Sequence, residues 1–143
     1  MTTYYARSFK DLRVYQKARE VSGEVFRLSK RFPKEEMYSL TDQMRRCARS
    51  VGAQIAEAWG KRRYEKHFVS KLTDADAEQM ETQYWVGEAI DCGYITAVET
   101  ERLNQGLAEI GRMLNSMMEK ADSFCNSADS ALHDDAAEYF TDR

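Results

Sequence analysis

Apolar residues recur along the chain at alternating steps of three and four, a spacing that gathers them on one face of an α-helix. Val14, Ala18, Val21, Val25, Leu28 and Phe32 form a first stripe, and Leu40, Met44, Cys47, Val51, Ile55 and Ala58 a second. Phe68, Leu72, Ala75, Gln79, Thr82, Val86 and Ala89 make a longer third, and Leu103, Leu107, Ile110, Leu114, Met117 and Ala121 a fourth. Nowhere do apolar and polar residues alternate with the period of two that a half-buried strand requires.

The punctuation between stripes sets the helix limits. Ser8 with Asp11, Ser39 with Asp42, and Thr96 with Glu99 have the spacing in which a hydroxyl and a carboxylate satisfy the free amides of a helix start. Pro33 fits a break after the first stripe. Gly60 fits an end or bend after the second, and Gly93 an end after the third, because glycine accepts the left-handed conformation that closes a helix. Helices are therefore predicted over about 9–31, 40–59, 61–92 and 97–121. Four amphipathic helices with short connections imply an all-α, antiparallel up-down-up-down bundle over residues 1–121. Their 3.5-residue mean step implies left-handed packing at about 20°. Gln79 and Thr82 interrupt the third stripe, either as locally hydrogen-bonded side chains or as a polar layer that fixes register or assembly. Residues 122–143 hold six acids against Arg143 and only weak periodicity, which predicts a mobile acidic tail.

Composition narrows the class. At 143 residues, with 43% apolar and 31% charged residues and a single proline, the chain reads as one helical domain with its own core. No run approaches the roughly 18 apolar residues of a membrane span, and "MTTYYARSFKDL" lacks the apolar centre of a secretion signal, so a cytoplasmic protein without membrane contact is expected. The cysteines, Cys47, Cys92 and Cys125, are odd in number and form no C-x-x-C pair, so reduced thiols are expected rather than disulfides or zinc ligands. A non-enzymatic protein without a cofactor or metal is expected. Glu78 and Glu81 share a helical face, but neither His67 nor His133 follows a Glu by three residues, as the two-metal sites of bundles require. Glycine-rich phosphate loops and G-x-S-x-G turns do not occur either.

Charge changes the picture more. The net charge is −3, yet residues 1–71 carry 17 Lys and Arg against 8 Asp and Glu (+9), and residues 72–143 carry 4 against 16 (−12). The densest basic stretch, "GKRRYEKH" at 60–67, places Lys61, Arg62, Arg63 and Lys66 between the second and third helices. In the expected topology Arg7, Lys10 and Arg13 approach this turn, while Arg45, Arg46 and Arg49 extend a basic surface along the second helix. Such a surface could hold phosphates by charge, and bases by stacking on Tyr64 and His67. It could equally meet the acidic surface of a neighbouring subunit or protein partner, or be a solvated face paired with acids of the third and fourth helices. Seven phosphate contacts would give a salt slope of about −6 on duplex DNA.

"FKDLRVYQKA" (9–18), "FPKEEMYSLTDQMRRCARSVGAQIAEAWGKR" (32–62) and "METQYWVGEAIDCGYI" (80–95) together resemble the small four-helix-bundle proteins encoded in intervening sequences of bacterial 23S rRNA genes. The resemblance spans about residues 9–121. It implies a bundle that assembles as a ring, plausibly a homopentamer. The chain is also similar to the accessory protein of diversity-generating retroelements, a pentameric barrel that binds nucleic acid and a reverse transcriptase through a basic surface. Arg45, Arg46, Arg49 and the basic turn from Lys61 match basic positions of those families, so the resemblance implies RNA or DNA as a partner.

Overall fold

A computed structural model describes residues 6–125, and every regular element among them is helical. The long helices are α1 (Arg13–Ser29), α2 (Asp42–Gly60), α3 (Glu65–Asp91) and α4 (Ala97–Glu119), followed by a short α5 (Ala121–Cys125). α1 packs against α2 and α4, and α3 against α2 and α4, so the helices form a closed four-sided bundle. Neighbours run antiparallel. Lys17 pairs with Glu109 while Glu24, further along α1, pairs with Arg102, earlier on α4. Across α2 and α3, Lys71 reaches Gln54 and Thr82 reaches Cys47 in the same reversed order.

The stripes become the core. Val14, Val25, Met44, Leu72, Ala75, Val86, Leu103, Leu107, Ile110, Leu114 and Met117 are wholly buried. Burying each of the large aliphatic chains contributes about 1.5–3 kcal/mol. α1 and α4 approach closely at Gly106, where an added Cβ would stand 2.8 Å from a Val21 methyl. Gln79 and Thr82 are buried too, and each is satisfied. Gln79 donates to Asp76 Oδ1 and accepts from Gln83, whereas the Thr82 hydroxyl lies 2.8 Å from the Glu78 carbonyl and 3.1 Å from Cys47 Sγ. Burial pushes the Cys47 thiol up to about 11; Cys92, in contrast, is exposed.

The helix ends depart from expectation where local bonding competes. Ser8 and Asp11 do form a capping box, but it closes a single 3-10 turn (Phe9–Asp11); Leu12 is then extended and buried, and α1 starts only at Arg13. Ser39 caps nothing. A 3-10 turn (Lys34–Glu36) runs straight into a π-helical turn (Met37–Thr41), and the Asp42 amide bonds the Met37 carbonyl, so preceding carbonyls do the work assigned to Ser39. Gly60 is the last residue of α2, where an end was expected, but the chain leaves through Lys61 at φ −104° and no left-handed glycine closes the helix. α3 consequently begins at Glu65, four residues later than expected.

Two boundaries follow the sequence closely. Gly93 adopts φ +78°, and the Tyr94 amide bonds back to the Ala89 carbonyl to close α3. Thr96 and Glu99 cap α4 reciprocally. Beyond α4, Phe124 is buried and stacks on Phe68 with ring centroids 5.8 Å apart, so core packing continues through α5. Of the mobile acidic tail expected over 122–143, residues 122–125 belong to α5, and the remainder lies outside the described residues. No helix among the described residues is long and apolar enough to cross a membrane.

Candidate nucleic-acid interface

Along α2, a spacing of four puts Arg45 and Arg49 on one side of the helix, facing α1. Both guanidinium groups lie over the half-buried Phe26 ring, 4.9 and 5.4 Å from its centroid, and Lys30 Nζ joins them at 4.7 Å. Arg45 Nε also donates to Ser29 Oγ at 2.7 Å. Phe26 sits one residue off the first apolar stripe, with Lys30 one turn beyond it. That offset is the signal by which Phe26 and Lys30, absent from the expected basic surface, could have been found.

Arg46 turns away towards α3, where its field favours the charged form of Glu78 against the upward push of burial. Its Nη2 donates to Gln43 Oε1 at 2.7 Å. Arg45, Arg46 and Arg49, together with Tyr38, Asp42 and Gln43, line an open pocket of about 520 Å3.

The basic turn forms the second group, at the other end of α2, about 18 Å from Arg49 by helical rise. Arg62 is half-buried there. Its guanidinium lies 3.5 Å from the centroid of the Trp59 ring and its Nε donates to the Trp59 carbonyl at 2.9 Å. Burial pushes this guanidinium below its usual range. The same burial pushes the nearby Cys125 thiol up to about 11, with Glu65 adding to the rise and Arg62 opposing it. Arg63 lies 5.9 Å from the Tyr64 ring, which meets His67 edge-on at 5.3 Å. Lys61, Arg63 and Lys66 are exposed.

Arg13 lines a cleft on the α1–α4 side with Lys17, Glu20 and Glu109. The salt-bridged alternative finds no support at the seven basic residues. Ion pairs among the described residues involve Lys17, Arg31, Lys71 and Arg102, and none involves Arg45, Arg46, Arg49, Lys61, Arg62, Arg63 or Lys66. Among the described residues, no three His, Cys, Asp or Glu side chains are grouped to hold a metal.

Residues 10–116 match the family model described as 23S rRNA-intervening sequence protein. The chain is similar to the crystal structure of a Bacteroides thetaiotaomicron protein of unknown function from the S23 ribosomal protein family. That match has 30% identity and a TM-score of 0.67, covering 74% of this chain and 98% of the other. Comparison with curated proteins gives no significant match.

Proposed function

The chain belongs to the 23S rRNA-intervening sequence protein family, and from that premise we propose that it is a non-enzymatic protein that binds nucleic acid through the basic surface of α2 and the turn after it. The observation that carries this reading is the set of cations free of carboxylate partners among the described residues. The acids of α3 and α4 instead engage Lys17, Arg31 and Lys71, while Arg102 pairs with Glu24 of α1. Unpaired surface cations keep their counterions until a polyanion displaces them, and that release drives association. Arg45 and Arg62 are partly committed inside the fold, which leaves Arg46, Arg49, Lys61, Arg63 and Lys66 as the exposed set. Five phosphate contacts correspond to a slope of log affinity against log salt of about −4.5 on duplex DNA and about −3.5 on single strands.

Anisotropy titrations of labelled RNA and DNA across a salt series test this, with protein freed of co-purified nucleic acid. Arg46→Glu/Arg49→Glu should lower affinity at least about 10-fold and flatten the slope by about 2. Binding indifferent to salt, or unchanged in the variant, would refute the reading.

A second reading rests on a different feature. α3 exposes Met80 and Tyr84 beside Glu81, while α1 and α2 form an apolar groove of about 550 Å3 lined by Phe9, Tyr15, Phe26 and Ala53, with Arg19 and Arg49 among its walls. The α3 face of one copy complements the groove of the next in both charge and polarity. Head-to-tail contacts of this kind close into rings, and the family resemblance makes five the expected number. Assembly and nucleic-acid binding are compatible where different arginines serve each.

A further inference from the structure

Tyr38 is 83% exposed, more than any other large hydrophobic side chain described. It stands on the π-helical turn Met37–Thr41, directly before α2. An aromatic side chain left this open presents a whole ring face to solvent, and here the face borders the pocket that holds Arg45, Arg46 and Arg49. From this juxtaposition we infer that the pocket is a single-strand subsite, in which Tyr38 stacks one unpaired base while Arg46 and Arg49 hold the adjoining phosphates. The inference rests on the nucleic-acid reading above and narrows its ligand from any polyanion to an unpaired strand.

Three features separate this site from a general phosphate patch. A duplex keeps its base faces stacked on one another, so a protruding ring gains nothing from it, whereas a splayed strand offers a base face to every platform it meets. A carboxylate, Asp42, also lines the pocket. A phosphate is repelled there, but a ring imino N–H, as in uracil and thymine, or an exocyclic amino group of a base can donate to it. Lastly, the Gln43 carbonyl oxygen accepts from Arg46, which leaves the Gln43 amide N–H groups directed to other acceptors, such as a base edge. Cations and base-type contacts set side by side give the pocket a mixed character that a duplex backbone, uniform in charge, does not use. The alternative face, the basic turn, lacks this arrangement: its aromatic Tyr64 is already engaged edge-on by His67 and its Trp59 is covered by Arg62.

The test uses the full chain and four labelled probes of equal length: oligo-U, oligo-dT, and RNA and DNA duplexes of mixed sequence. At fixed moderate salt, single strands should bind more tightly than duplexes. Tyr38→Ala should weaken single-strand binding roughly 5- to 150-fold, the stacking contribution of one base, and leave duplex binding unchanged; Tyr38→Phe should retain the preference, since the ring and not the hydroxyl is used. Comparison of oligo-U with oligo-dT separates an RNA from a DNA preference. Equal, salt-dependent binding of single strands and duplexes that is insensitive to Tyr38→Ala would overturn this inference and leave the general reading standing. No binding of any probe would remove both.

Discussion

Arg49 and Arg62 carry the same charge on or just after the same helix, yet the fold uses them differently. Arg62 is stacked on Trp59, bonded to a backbone carbonyl and half-buried. Arg49 is exposed, with Phe26 beneath it and no carboxylate partner among the described residues. A guanidinium can therefore be committed to closing a helix end or left open to solvent, and the packing around it decides which: Trp59, three residues before Arg62, or Phe26 of α1 beneath Arg49. Lysine could not replace Arg62, because only a planar group covers an indole while donating sideways.

The largest expected effect concerns the groove that Arg49 also lines. Met80→Glu/Tyr84→Glu alters the exposed α3 face, and if that face seats in a neighbouring groove, light scattering should show the assembly falling to single chains. A mass unchanged from the parent protein would leave Arg49 free for nucleic acid alone. Next in size, Arg62→Ala should cost about 1–2 kcal/mol through loss of the stacked cation and its carbonyl bond. That loss appears as a melting temperature lower by a few degrees, with a salt slope changed by less than one. A flatter slope without a change in melting would place Arg62 with Arg49 after all.

The smallest effect sharpens the contrast with a paired cation. Arg31 and the Thr96 amide hold the Glu99 carboxyl down at about 2, below its ordinary value near 4.5. A carboxylate depressed in the folded state stabilises the fold above its unfolded value, and that contribution is lost as pH falls towards about 2. Arg31→Ala should thus lower the melting temperature modestly at neutral pH, with the difference from the parent shrinking from about pH 5 downward. A constant difference across that range would mean that the pair does not titrate as described.

The bundle was legible because burial imposes a period, and all four stripes lie where the core needs them. The third was readable even through Gln79 and Thr82, whose polarity is satisfied by neighbours at three and four residues. The ends were less so. Ser39 has the composition of a cap, but its amides are met by a turn that sequence spacing does not reveal. Phe124 is a lone large apolar residue near the start of an acidic run, so its burial against Phe68 depends on a partner 56 positions away. At the candidate site, the arginines were visible as charge. What separates them, Phe26 under one group and Trp59 under the other, is a matter of packing, as is the exposure of Tyr38 on its π turn.

The stacked pair at the end of α2 has an optical consequence. The chain has two tryptophans, and Trp85 lies on α3, its indole N–H bonded to Glu81. Trp59 alone has a guanidinium over its ring. In a Trp85→Phe background its emission becomes an intrinsic gauge of the basic turn, reporting without any label whether an event there lifts Arg62 from the indole or leaves it in place.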